Sequence, residues 1–108
     1  NEVVIKNILS RTVHLDIKVN SKKIQSFSGD AILISTPMGS TAYNYSAGGS
    51  IVDPSLDIIQ LTPIAPMNTT AYRSFTSSII LPQYSVIDII PEFRFENSIL
   101  IVSDGVEF

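Results

Sequence analysis

The chain has 108 residues, 44% of them apolar, with seven basic and ten acidic groups and a formal net charge of −3. That balance argues against a nucleic-acid surface, which needs clustered Lys and Arg, and no run approaches the ~18 apolar residues that cross a bilayer. With no Cys and a single His, the sequence supplies no disulfide and no thiolate or multi-histidine metal site, and lack of Cys is compatible with the expected cytoplasmic location.

The length is that of one domain, and the abundance of Ile and Val favours strands. Asn1 stands just before an apolar run, with neither Met nor a polar leader ahead of it. Asp104-Gly105 near the other end is a turn signal that should lead into another strand. The chain therefore reads as a domain excised from a longer parent.

Residues 12–19 alternate, with Val13, Leu15, Ile17 and Val19 on one face and Thr12, His14, Asp16 and Lys18 on the other. Period two predicts a half-buried strand, with His14 turned to solvent. Asn20-Ser21 is a tight-turn candidate, and residues 22–28 return as the hairpin partner. Gly29-Asp30 interrupts the pattern. Residues 31–34 are then continuously apolar, as in a strand covered on both faces. A helix is expected over residues 40–47, capped at its start by Ser40 or Thr41 and ended by Gly48 in the left-handed conformation. Residues 58–64 read as a buried strand in which Pro63 hints at an edge or bulge. An irregular loop follows through Pro66 and Asn68-Thr69-Thr70. Residues 77–81, 86–90 and 98–102 are further strands. About eight short strands at this spacing predict a multi-stranded, mainly β sandwich with one short helix.

The informative stretch runs from Gly29 to Gly49. It is a strand, a small-residue turn and a short helix. Small residues let a ligand approach the backbone. The turn offers N–H donors, the hydroxyls of Ser40 and Thr41, and the ring of Tyr43. These suit a nucleotide's phosphate and base. The same pattern also serves as plain architecture, so local chemistry alone leaves both readings open.

This stretch resembles the signature of the NAD kinase family: Gly29-Asp30, a hydrophobic strand, then Ser35-Thr36-Pro37-x-Gly39-Ser40-Thr41-Ala42-Tyr43, then small residues to Gly48-Gly49. Ala31 and Met38 depart from it. Asn1-Glu2, Pro54-Ser55-Leu56 and Leu61-Thr62-Pro63-Ile64-Ala65-Pro66 also fit in order and spacing, and a match over about three quarters of the chain is far more specific than a lone glycine pattern. Asp53 stands where many relatives carry His and is left out of the site.

The resemblance implies that residues 1–108 are the β-rich, NAD-binding C-terminal domain of the NAD kinase fold. The whole enzyme would transfer the γ-phosphoryl of ATP to the 2′-hydroxyl of NAD's adenosine ribose, with Mg²⁺ or another divalent cation. The Gly-Gly-Asp-Gly motif is absent, so the ATP site and catalytic carboxylate are expected in a preceding α/β domain. No catalytic residue or metal ligand is assigned here, and the fragment alone should be inactive. By the same resemblance Asn1, Thr41, Ala42 and Tyr43 hold the adenosine of NAD, with Ser46 beside it. Glu2 orients a ribose hydroxyl or a neighbouring group. Asp30 lies near the second nucleoside, and Ala65 and Met67 line the same pocket. Assembly as a homodimer or homotetramer is also implied.

Simpler readings stand beside these. Asp30 is also a good turn residue. Ala65 and Met67 are ordinary loop packing by position alone. Tyr45, two residues from Tyr43 and so on another side of a helix, is expected to pack. Arg73 suits a surface ion partner. Glu92, Glu96, Asp104 and Glu107 suit a solvated edge that discourages strand aggregation. The alternative functions are a related diacylglycerol- or sphingosine-type lipid kinase domain and a non-catalytic nucleotide-binding sandwich.

Overall fold

The computed structural model describes residues 1–9, 11–70, 72–92 and 98–107. Glu96, assigned above to an acidic edge, lies outside them.

Chain order is β1 (Glu2–Asn7), β2 (Val13–Val19), β3 (Lys22–Gly29), β4 (Ala31–Ser35), a 3₁₀ turn (Met38–Thr41), α1 (Tyr43–Ser46), β5 (Ile58–Ile64), β6 (Ile79–Pro82), β7 (Ile87–Pro91), β8 (Ile99–Ser103) and β9 (Val106–Glu107). The strands form a six-stranded sheet of order β6-β5-β4-β1-β8-β9 and a three-stranded sheet of order β3-β2-β7. All pairings are antiparallel. The expected sandwich with a single short helix is what forms, and no described helix is long and apolar enough to cross a membrane.

The alternation read in β2 becomes the core. Val13, Leu15 and Ile17 are at most 1% exposed and pack with Phe27 of β3 against Ile5, Ile32 and Leu61 of the larger sheet. Each such side chain contributes about 1.5–3 kcal/mol by leaving water. Asn20 and Ser21 both take positive φ, 50° and 68°, the conformation of a type I′ hairpin turn, whose twist suits the two strands. The β2–β3 register slips between Ile17 and Lys18, so Ile24 drops out of the pairing and stays 39% exposed. Pro63 sits in a central strand. It is tolerated because β6 pairs only with Ile58–Leu61, leaving Pro63 without a β6 partner.

The expected continuous helix over residues 40–47 is replaced by the 3₁₀ turn and the four-residue α1, separated at Ala42, whose ψ is −129°. Neither N-cap residue, Pro37 or Ala42, makes a side-chain capping bond. Ser40, expected as a cap, is fully buried and donates to the Pro37 carbonyl at 2.7 Å. Gly48 does end the segment at φ +92°. His14 faces away from the core and is half-buried, its ring lying 4.8 Å from that of Tyr72. Tyr45 is 58% exposed and does not pack.

Candidate functional site

The outer face of the six-stranded sheet carries a second, smaller apolar floor: Val4 from β1 and Ala31 and Leu33 from β4, flanked by Ile64 and Val102. The polar positions of β5 lie on this face too. Gln60 and Thr62 alternate with Leu61, which faces the core, and both are at most 1% exposed. They are buried because residues 36–52 cross above them.

A polar network holds that crossing segment down. Asn44 of α1 is 0% exposed. Its carboxamide accepts from the Thr62 hydroxyl at 2.6 Å and donates to the carbonyls of Ser40 at 3.0 Å and Ser50 at 3.1 Å. Gln60 accepts from the Ser50 N–H at 2.8 Å, and the Ser40 hydroxyl accepts from the Val52 N–H at 2.9 Å. Every partner is spoken for, which is how a buried carboxamide becomes stabilising rather than costly. Gly49 passes so close that a Cβ there would lie 2.2 Å from the Asn44 oxygen. The turn is tied just as closely to β1. The Asn1 carbonyl accepts from the Thr36 N–H at 3.0 Å, and a Cβ on Gly39 would lie 2.3 Å from that carbonyl oxygen.

Anchored this way, Tyr43 stands 45% exposed beside the apolar floor. One cleft of about 180 Å³ is lined by Lys6, Asp30, Ala31, Tyr43 and Ile64. A neighbouring cleft of about 150 Å³ is lined by Glu2, Val4, Lys6, Tyr43, Val102 and Gly105. Sharing Lys6 and Tyr43, the two form one groove, with an aromatic wall, an aliphatic floor and the charged groups of Glu2, Lys6 and Asp30. A further cavity of about 140 Å³ at the strand ends includes Asn1, Glu2, Ser35, Thr36 and Ser103 in its lining. Glu2 lines both spaces.

The residues expected at a site are therefore distributed unevenly. Glu2, Asp30 and Tyr43 share the groove, and Asn1 meets Glu2 in the adjoining cavity. Thr41, Ala42 and Ser46 are exposed on the covering segment but line neither cleft. Ala65, at φ 49°, and Met67 are exposed in the loop after β5. They sit close to the Asp30 end. The Asp30 N–H donates to the Ile64 carbonyl, and the Met67 N–H donates to the Ser28 carbonyl. Buried Ser74 fixes that loop, its hydroxyl accepting from the Ser28 N–H at 2.9 Å and lying 2.8 Å from the Met67 carbonyl it can donate to.

Sequence reasoning missed Lys6, Asn44 and Asp104. Lys6 follows Glu2 by two periods of a strand, which places both on one face, so its signal was present. Asn44 is a polar residue inside a helical stretch, a place where its side chain usually competes with the backbone. Asp104, read as part of a solvated edge, instead accepts from the Glu2 N–H at 3.0 Å and from the nitrogen of Asn1 at 3.1 Å. The hydrogen bond from Glu2 is the larger cause, and the one from Asn1 the next, that holds its carboxyl below the ordinary carboxylate value. Asp53 is likewise lowered, by its hydrogen bonds with Ser55, which mark it as a local turn residue.

Among the described residues no three Asp, Glu or His side chains gather as a metal-ligand set. The groove can hold an aromatic base against Tyr43 and pair hydroxyls or an amide with Glu2 and Asp30. It has no nucleophile–base pair of its own.

The sequence profile of the ATP-NAD kinase C-terminal domain matches residues 1–107. The chain is 44% identical to an NAD kinase of Finegoldia magna over 98% of its own length, and 44% identical to one of Streptococcus agalactiae over 85%. It spans only 40% and 33% of those two proteins. Among solved structures, it superposes on yeast NADH kinase complexed with NADH at a TM-score of 0.84 and 31% identity, covering 100% of this chain and 30% of that one. It superposes on an NAD kinase from Archaeoglobus fulgidus in complex with ATP at a TM-score of 0.81 and 26% identity, covering 97% and 39%.

Proposed function

The chain belongs to the NAD kinase family, as its C-terminal domain, and from that premise we propose that its parent protein phosphorylates NAD to NADP, with this domain holding NAD. The γ-phosphoryl of ATP passes to the 2′-hydroxyl of the adenosine ribose. Such a transfer depends mainly on placing the hydroxyl in line and on stabilising charge. Placement is the share of the task this domain can perform. The observation that carries the reading is the groove between Tyr43 and the sheet, with Glu2 and Asp30 toward its two ends.

In this reading the adenosine packs on Tyr43 beside Thr41 and Ala42, with Asn1 and Ser46 at its edges. Glu2 accepts a hydrogen bond from a ribose hydroxyl. Asp30, flanked by Ala65 and Met67, meets the second nucleoside. The carboxylate that takes the proton of the attacking hydroxyl belongs to the preceding α/β domain, as does the ATP site. A divalent cation would travel with ATP's phosphates, since the described residues of this chain offer no ligand set for it.

We also propose that the parent is cytoplasmic and assembles as a homodimer or homotetramer. Exposed aliphatic and aromatic side chains such as Ile80, Tyr84 and Val86 support an assembly surface. Light scattering reporting a single subunit at working concentration would refute it. The function itself is tested by incubating the parent with NAD, ATP and Mg²⁺. NADP should form and calorimetry should detect NAD binding. Absence of both would overturn the proposal.

A further inference from the structure

Lys6 is the one basic side chain among the described residues lining the two clefts, and it lines both. It belongs to β1, a central strand, where it pairs with Ala31 of β4 and Leu100 of β8. Strand alternation puts it with Glu2 and Val4 on the outer face of the larger sheet. That face is otherwise the apolar floor of Val4, Ala31, Leu33, Ile64 and Val102. A lysine stem packs well on such a floor, but its ammonium group needs water or a counter-charge. Lys6 is half-buried, and the ion pairs among the described residues are Asn1–Asp104 and Lys23–Asp16. Neither Glu2 nor Asp30 closes on Lys6, although each lines a cleft with it.

Charge along the groove therefore runs acidic, basic, acidic: Glu2 in one cleft, Lys6 where the clefts meet, Asp30 in the other. A dinucleotide carries the complementary order. Its two sugars offer hydroxyl donors, which suit carboxylates, and its middle is an anionic diphosphate. Four residues of strand separate the Cα atoms of Glu2 and Lys6 by about 13 Å. One nucleoside fills that span when long side chains meet it from both ends. An ammonium group, with three donors on a flexible stem, is suited to phosphate oxygens.

We propose that Lys6 is a further substrate-binding residue, whose ammonium group donates to the diphosphate of the bound dinucleotide where the two clefts meet. The assignment rests on the reading of this domain as the NAD-binding half of the parent enzyme, and deepens it. Glu2 and Asp30 meet the sugars, while Lys6 holds the bridge between them and so fixes how far each nucleoside lies along the groove. No covalent step is involved.

The test uses the full-length parent with Lys6→Met, which keeps the stem and removes the charge, and Lys6→Arg, which keeps the charge. Calorimetry with NAD should show Lys6→Met weakened about tenfold or more, the value of one charged hydrogen bond, and Lys6→Arg close to the wild type. Added salt should weaken the wild type more than Lys6→Met. The melting temperature without ligand should be unchanged or higher in Lys6→Met, because no ion pair is lost. The second ligand is an NAD analogue with an uncharged linker in place of the diphosphate. The wild type should bind it more weakly than NAD, and Lys6→Met should lose nothing more, the non-additivity that marks a direct pair. Equal NAD binding by the wild type and Lys6→Met removes Lys6 alone from the site. If Lys6→Met loses both ligands to the same degree, Lys6 is only a wall of the groove and the assignment fails. Failure of the wild type to bind NAD removes the functional reading itself.

Discussion

Replacing Asn44 tests whether the segment that carries Tyr43 is held by chemistry or merely by shape. In Asn44→Ala, the Thr62 hydroxyl, 1% exposed, loses its 2.6 Å acceptor, and the Ser40 carbonyl loses a donor at 3.0 Å. The Ser50 carbonyl keeps the amide of Gln60 at 3.2 Å. Two stranded groups at about 1–3 kcal/mol each, eased by relaxation, give roughly 3 kcal/mol. For a protein of a few hundred residues that lowers the melting temperature by about 6–12 °C, measurable by calorimetry on the parent. Asn44→Asp makes the sharper comparison. It keeps the oxygen facing Thr62 but sets a second oxygen against two carbonyls, so at neutral pH it should destabilise at least as much as Ala. Burial beside those carbonyls raises the folded-state pKa of the new carboxyl above the ordinary value of about 3.9. Its stability is then greatest below that ordinary value and declines as pH rises toward the raised one. Wild-type stability in Asn44→Asp at neutral pH would refute the donor role of the carboxamide and the account of how Tyr43 is positioned.

Two further outcomes follow from the site. Tyr43→Ala removes the wall shared by both clefts; loss of base stacking worth about 1–3 kcal/mol should weaken NAD binding about tenfold or more, and an unchanged titration would misplace the adenosine. The Asp104 carboxyl, lowered chiefly by the hydrogen bond from the Glu2 N–H, should hold the Asn1–Glu2 strand start at neutral pH and release it only as pH falls below the ordinary carboxylate range, through its lowered value. The Glu2 amide resonance followed by NMR should report that transition, and Asp104→Asn should abolish it.

How much of this was legible in the residue order depended on the range of the physics. Where a pattern is set by near neighbours, reading and structure agree. The alternation of β2 gave the core face. Asn20-Ser21, read as a tight turn, does join β2 to β3. Asp104-Gly105 does lead into β9, paired back on β8. The stretch from Gly29 to Gly49 also announced its family, because its small residues answer close approaches that a side chain would block, as at Gly39 and Gly49.

What folding alone decided involves partners far apart in the chain. Ser40 was a sensible helix cap, yet its hydroxyl is engaged by Val52, and Asn44 is spent on Thr62, so the helix breaks at Ala42 and shrinks to one turn. Asp104 became a clamp because β8 pairs with β1 from the opposite end of the sequence. His14 became half-buried because Tyr72 returns over it. Ser35 ended up buried beside Glu2 because β4 pairs with β1. Local periodicity specifies which face of a strand is apolar. Only closure of the sheet, whose pairings join residues about a hundred positions apart, specifies which polar groups meet there.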